Sequence, residues 1–230
     1  MAELPRDQQD DADKALPLAQ AVPDLELLLE LAFQGALLFD SPLHGEEHWL
    51  AVARAGLELA RREPDADPAV LFLFAVLHDT CRLDEGYDLE HGPAAARKAK
   101  ALSKRAFRLS DGQQELLEEA LQGHSETRVD PDPTVGACFD SDRLDFWRLG
   151  ARPDPRLLST ASARSEELIE WARGLHDAAL DWSGLQAGFS ALEPGRLPLA
   201  AAPARPDLPP LGAPSPSDWD RVFGEPDLRD

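Results

Sequence analysis

The chain has 230 residues, and 43% of them are hydrophobic, which is enough apolar material for one sizeable core. Its formal net charge of −20 at pH 7 repels nucleic-acid backbones and anionic lipid, so we expect neither as a non-specific partner. The two cysteines are too few for a disulfide framework and fit a reducing compartment.

The chain begins with a polar and acidic stretch, residues 1–20, which we expect to form a flexible arm. This stretch has neither the basic region nor the apolar region of a secretion signal, so a cytoplasmic location is expected. The longest unbroken apolar run, Ala69–Leu77, is far shorter than the roughly 20 residues that cross a bilayer. We therefore expect no association with a membrane.

The sequence favours helices over strands, because Ala, Leu, Glu and Arg are frequent and alternating β-branched runs are missing. Apolar spacing predicts helices over about 23–38, from the turn at Ser41 to about 62, and over about 67–80, 93–103, 111–123, 134–147 and 162–180. Ser41 and Ser110 are the predicted N-caps of the second and fifth of these helices. The third helix is apolar on every side and is therefore predicted to be central.

The composition changes after about residue 187, and nine of the 20 prolines lie at or beyond Pro194. Such a segment sustains neither helix nor sheet, so we expect an extended tail. The predicted organisation is an arm over 1–20, a helical domain over 21–186 and a proline-rich tail over 187–230.

Five of the six histidines lie in one part of the chain, each at the end or on the face of a predicted helix. They are His44, His48, His78, His91 and His124. Together with Asp79 and Asp142 they supply the imidazole and carboxylate groups that bind Zn, Mn, Fe or Co, whereas sulfur is too scarce for a thiolate site. An aspartate next to a histidine can bridge two ions while the histidine binds one of them. A buried pair with satisfied hydrogen bonds is the alternative for His78 and Asp79.

The order of these residues resembles that of the HD superfamily of metal-dependent phosphohydrolases. The similar segments, within about residues 24–150, are "HGEEHWLAV", "LHDTCR", "EHGPAAA", "LQGHSE" and "FDSDRLD". A single HD dipeptide carries little weight, since "LHDAAL" contains another one at His176. The ordered set of five segments is what carries the resemblance.

The resemblance implies an all-α fold, an HD-domain-like helical metal-binding bundle over 21–186 followed by the extended proline-rich C-terminal tail. It implies a cofactor of one or two divalent ions, which are Mn, Fe, Co, Ni, Zn or Mg. The metal ligands that it implies are His48, His78, Asp79, His91, His124 and Asp142. The implied partner is a small phosphorylated substrate, hydrolysed by a metal-activated water with Asp79 and Arg82 as the catalytic residues.

Alternatives exist for the first and last ligands. His44 precedes His48 by four residues and shares its helical face if that turn is helical, so it can replace His48, contact substrate or cap the helix. Asp140 and Asp145 compete with Asp142, and the family pattern selects Asp142. We expect Asp145 to orient a ligand histidine and Asp140 to face solvent.

Four arginines are candidates for binding a substrate anion. Arg82 follows Asp79 by three residues, where a cation offsets phosphate charge in the transition state, and a surface salt bridge to Asp84 or Glu85 is the alternative. Arg143 is expected to pair with a neighbouring acid, with substrate contact as a second reading. Arg152 or Arg156 is a further candidate, in the loop after the last ligand.

The segment His176–Asp177 falls outside the ordered pattern, and we expect both side chains to lie on the surface.

Two other functions compete with a phosphohydrolase. Some members of the superfamily use the same ligand order as di-iron oxygenases, although Arg82 has no evident task in that chemistry. The second alternative is a non-catalytic, metal-stabilised module whose proline-rich tail binds a partner. The sequence identifies neither a particular substrate nor an oligomeric state.

Overall fold

The computed structural model describes residues 14–177 and 181–192, and these residues form helices joined by loops, with no strand among them. The helices are α1 Leu18–Ala21, α2 Leu25–Phe33, α3 Glu46–Arg62, α4 Pro68–Leu77, α5 His91–Leu102, α6 Asp111–Gly123, α7 Pro133–Leu144, α8 Glu166–Trp171 and α9 Trp182–Ser190. Short 3₁₀ turns cover Asp145–Leu149, Pro155–Leu157 and Ala172–Gly174. The predicted all-α fold class is confirmed. None of these helices is long and apolar enough to cross a membrane, as far as the described residues go.

Helix α4 forms the centre of the bundle, as its apolar sequence predicts. Every residue from Ala69 to Leu77 is buried, and α3, α6, α7 and α9 pack around it. Asp67 caps the helix by accepting hydrogen bonds from the N–H groups of Ala69 and Val70, and Pro68 occupies the first helical position. The helix ends at Leu77, and the two residues that follow it, His78 and Asp79, are both buried in the interior.

Helices α5 and α6 form an antiparallel pair beside α4. Ser110 caps α6 through a capping box with Gln113, as the sequence predicts for Ser110. At the other end of α6, the backbone passes very close to Gly92, near the start of α5. The end of one helix therefore lies against the beginning of the other.

Several predicted helix boundaries differ from those in the structure. The first predicted helix ends early, at Phe33, and Gly35 then adopts a left-handed conformation with φ +77°. Ser41 is not a helix cap, because α3 begins at Glu46 with Gly45 as its N-cap. The Ser41 hydroxyl instead accepts hydrogen bonds from the loop N–H groups of Leu43 and His44. The helix predicted over 162–180 is interrupted after Trp171 by a 3₁₀ turn.

The two ends of the described chain pack on the bundle. Leu18 and Ala21 are buried in α1, and the backbone of Leu16 exchanges two hydrogen bonds with the Gln113 side chain. Helix α9 continues past residue 187, with Phe189 buried. Residues 1–13 of the expected arm and residues 193–230 of the expected tail lie outside the described part of the chain.

Candidate metal centre

Three helices bring the first group of ligand atoms together. His48 lies in the first turn of α3, His78 immediately follows α4, and Asp142 lies near the end of α7. The Nε2 atoms of His48 and His78 are 3.2 Å apart, and Oδ1 of Asp142 is 3.3 Å from Nε2 of His48. These three side chains form a group that could hold one metal ion.

A second group lies next to the first. It consists of Asp79, His91 at the start of α5 and His124 immediately after α6. The Nε2 atoms of His91 and His124 are 2.9 Å apart, and Oδ1 of Asp79 lies 3.3 Å from the first and 3.8 Å from the second. The close approach of α5 and α6 at Gly92 positions this pair of rings.

Asp79 connects the two groups. Its Oδ1 atom faces His91 and His124, whereas its Oδ2 atom is 3.9 Å from Nε2 of both His48 and His78. One carboxylate therefore presents a separate oxygen to each pair of histidines, which is the arrangement of a bridging ligand.

Each of the four clustered histidines is oriented through its other ring nitrogen. In three of them Nδ1 donates to the backbone carbonyl three residues earlier: His78 to Ala75, His91 to Asp88 and His124 to Leu121. Nδ1 of His48 instead lies 2.8 Å from Oδ2 of the buried Asp145. A proton held on Nδ1 leaves the lone pair on Nε2 directed into the cluster, where a metal ion needs it.

Burial and mutual contact set the charge of these groups. Burial lowers the pKa of His78 to about 3, and burial with the nearby His124 lowers the pKa of His91. Burial opposes a charge on Asp79 too, but the surrounding imidazoles, His78 first, hold the pKa of Asp79 well below its usual range. His48 is likewise buried, yet its hydrogen bonds with Asp142 and Asp145 raise its pKa. The cluster thus combines carboxylates with buried imidazoles, and both kinds of group are donors to divalent cations.

Residues 45–147 match the family model described as HD domain. This part of the chain is an HD domain. The resemblance indicated by the ordered motifs is confirmed for these residues. HD domains bind divalent metals, and the family consists generally of phosphohydrolases. No curated protein and no solved structure matches the chain.

Two further side chains contact Asp79, one just before the matched residues and one within them. Nδ1 of His44 is 3.1 Å from Oδ2 of Asp79, and its Nε2 atom is 3.8 Å from Oε2 of Glu85. Nε of Arg82 is 3.4 Å from Oδ1 of Asp79, and Nη1 of Arg82 donates to the carbonyl of Gly86. Arg82 therefore turns toward the cluster instead of forming the surface salt bridge to Asp84 or Glu85.

Arg143 forms hydrogen bonds with the backbone. Its guanidinium is buried and donates to four carbonyl groups, those of His124, Thr127, Arg128 and Leu157. The side chain thereby fixes the loop that follows His124. These contacts lend no support to Arg143 as a substrate contact, and its partners are carbonyls instead of the expected acid.

The expectation that Asp140 faces solvent is wrong. Asp140 is fully buried and accepts hydrogen bonds from the N–H groups of Ser159 and Thr160, at 2.6 Å and 2.7 Å. Burial raises the pKa of Asp140, although these two donors favour its ionised form. Asp140 therefore anchors the loop after the HD domain and leaves Asp142 as the aspartate that reaches the cluster.

The two arginines of that loop pair with acids. Arg152 lies 2.5 Å from Glu166, and Arg156 lies 2.6 Å from Asp154. Neither pairing adds an anion-binding group to the cluster.

His176 has a contact that the sequence did not indicate. Its Nε2 atom is 2.7 Å from Oδ1 of Asp145, the carboxylate that also binds His48. The hydrogen bond to Asp145 raises the pKa of His176. The side chain is partly exposed, as expected, but it is hydrogen-bonded to the carboxylate that also contacts His48. Its 31-residue separation from Asp145 left no local pattern by which it could be found.

Proposed function

We propose that the protein is a metal-dependent phosphohydrolase that acts on a small phosphoester or nucleotide. The observation that carries this proposal is the position of Asp79, whose two oxygens face separate pairs of histidines. Two ligand groups that share one carboxylate suit a pair of cations, and paired cations are suited to the displacement of a phosphoryl group.

The donor atoms fit divalent metals. In our proposal His48, His78 and Asp142 hold one ion, and Asp79, His91 and His124 hold the second. Imidazole nitrogen with carboxylate oxygen favours Mn, Fe, Co, Ni or Zn, whereas Mg prefers oxygen ligands alone. Bound ions would supply Lewis acidity, which lowers the pKa of water toward neutrality and offsets the charge of a phosphoryl oxygen.

Arg82 and Asp79 are the proposed catalytic residues of the chain. Two of the donors of Arg82, Nε and Nη1, contact Asp79 and Gly86, so Nη2 can donate to a phosphoryl oxygen. That contact would strengthen as negative charge develops on the phosphoryl group. Asp79 would hold the ions and orient the attacking water through its carboxylate oxygens.

His44 is a proposed substrate contact. Its side chain is 13% exposed, and its ring spans the distance between Asp79 and Glu85. An imidazole in this position can donate a hydrogen bond to a substrate oxygen or pass a proton to a departing group. We place it beside the metal ligands and not among them, since its Nδ1 atom faces Asp79 itself.

The proposal is tested by metal reconstitution and a substrate screen. Chelator-treated protein is reloaded separately with Mn, Fe, Co, Ni, Zn or Mg, its metal content is measured, and phosphate release from nucleotides and simple phosphate esters is followed. We expect turnover with at least one metal. The Asp79→Asn variant should lower kcat by about 10³-fold, and the exposed Asp84→Asn should leave kcat unchanged.

Metal-loaded protein that hydrolyses none of these esters would overturn the proposal. Oxygen consumption by the iron-loaded protein, together with an iron EPR signal, would favour the oxygenase reading instead.

A further inference from the structure

We infer that His176, which lies beyond the HD domain, is a positioning residue of the metal centre and acts on the ligand His48 through Asp145. The inference rests on the metal centre proposed above. It assigns part of that centre to the segment after residue 147, which the family model does not cover.

The first step of the argument is the position of Asp145. This carboxylate is fully buried, with 0% of its surface exposed, and each of its oxygens has an imidazole partner. Oδ2 lies 2.8 Å from Nδ1 of His48, and Oδ1 lies 2.7 Å from Nε2 of His176. A third contact is longer, 3.5 Å from Oδ2 to Nη1 of Arg148. A buried carboxylate needs such partners, because an unpaired charge in the interior is costly.

The second step concerns His48. It is the one ligand histidine whose Nδ1 is held by a side chain, whereas the other three donate to backbone carbonyls. A carbonyl within a helix end has a fixed position, but a carboxylate can rotate. The hydrogen bond of His176 to the second oxygen restrains that rotation and so helps to keep Oδ2 of Asp145 on His48. Partners of this kind are typically worth about 10–100-fold in metal affinity.

The third step is that His176 is itself held in place. Arg54 donates two hydrogen bonds, at 2.6 Å and 2.8 Å, to the carbonyls of Gly174 and Leu175. Arg54 lies on α3, the helix that carries His48. Farther along the chain, Nε1 of Trp182 donates to Glu46, which is also on α3. The helix with the ligand therefore binds the chain on both sides of His176, which makes a chance contact an inadequate explanation.

A pair of variants with matched polarity tests the inference. In His176→Gln the side-chain amide nitrogen reaches the position of Nε2, whereas in His176→Asn it lies near the position of Nδ1 and falls short of Asp145. Each change is combined with His124→Ala, which leaves only the His48 group, and with His48→Ala, which leaves only the His124 group. Binding of Mn²⁺ is measured by calorimetry, and thermal unfolding of the chelator-treated proteins is measured in parallel.

We expect His176→Asn to weaken Mn²⁺ binding by about 10–100-fold in the His124→Ala protein, and by less than about 3-fold in the His48→Ala protein. His176→Gln should restore most of the lost affinity. Equal weakening in both backgrounds, equal effects of Asn and Gln, or no effect in either background would overturn the role of His176.

The same titration separates the two proposals. If the unsubstituted protein binds no divalent metal, the proposed metal centre fails and His176 loses its role with it. If the unsubstituted protein binds metal and His176→Asn binds it equally well, the centre stands and only the inference about His176 fails.

Discussion

The backbone of Gly92 lies so close to Leu121 that a Cβ atom at residue 92 would stand 2.6 Å from the Leu121 carbonyl oxygen. Real Cβ atoms do not approach backbone oxygens this closely, so the first turn of α5 can rest against the last turn of α6 only with glycine there. This close contact also sets the positions of two histidines of the candidate metal centre. The neighbouring His91 and the His124 ring meet with their Nε2 atoms 2.9 Å apart.

Replacing Gly92 with alanine should therefore separate the two histidines. We expect Gly92→Ala to lower the free energy of unfolding by about 1–3 kcal/mol, because backbone must move to admit the methyl group. We also expect it to reduce the bound metal from two equivalents to one, as measured by elemental analysis. Gly112→Ala is the matched control, since Gly112 lies in α6 and a Cβ there meets nothing within 4 Å.

The control should keep its stability or gain up to about 0.5 kcal/mol, because Gly112 lies in the first turn of α6 and the gain of about 1 kcal/mol from alanine applies to helix interiors. Chemical denaturation of both variants checks these values. A Gly92→Ala protein that keeps two metal equivalents and full stability would show that the helix contact does not position the ligands.

Much of this site was open to prediction from the sequence, because its ligands lie in short local patterns. His78–Asp79 ends the most apolar run of the chain, and His124 follows a helix with a recognisable cap at Ser110. In each case local spacing alone indicates a polar group at the buried end of a helix. The role expected for Asp145 followed from its spacing of three residues from Asp142.

The remaining features depend on contacts that leave no local pattern. Arg143 binds backbone carbonyls, and any residue type can supply a carbonyl, so its partners could not be read from the sequence. The burial of Asp140 could not be predicted, because its donors, the N–H groups of Ser159 and Thr160, come from a loop whose path is set by packing. The contact of His176 with Asp145 likewise depends on how the segment around residue 176 packs against α3.

Arg82 should affect turnover and leave metal binding intact. We expect Arg82→Met to lower kcat/KM for a phosphoester by about 10²-fold, because a cation beside the developing phosphoryl charge is lost. Metal content should stay at the level of the unsubstituted protein, since Arg82 contacts Asp79 through a hydrogen-bond donor and cannot bind a cation. Steady-state kinetics and elemental analysis on the same sample check both points.

The exposed Arg97→Met is the control for Arg82, because it removes the same charge from α5 away from the cluster. A similar loss of activity in both variants would mean that net charge matters and that the position of Arg82 does not.

Substitution of Arg143 should lower the free energy of unfolding and should not act on turnover directly. Arg143→Met leaves four backbone carbonyls without their donor in a buried region, and we expect the free energy of unfolding to fall by about 2–4 kcal/mol. The exposed Arg105→Met should change it by less than about 0.5 kcal/mol. Urea denaturation distinguishes the two. A stable Arg143→Met protein with a strongly raised KM would instead restore Arg143 as a substrate contact.

Metal should also stabilise the fold, because the cluster gathers ionised Asp79 and Asp142 in the interior and a bound cation offsets their charge. A ligand that binds only the folded state adds about 2.7 kcal/mol at a concentration 100 times its dissociation constant. We therefore expect Mn²⁺ to raise Tm in proportion to the logarithm of its concentration, and chelator to reverse the rise. In Asp79→Asn, which alters the carboxylate whose two oxygens face both pairs of histidines, the shift should shrink markedly, whereas in Asp84→Asn it should persist. A Tm that responds to Mn²⁺ equally in both variants would place the bound ion elsewhere than between these histidines.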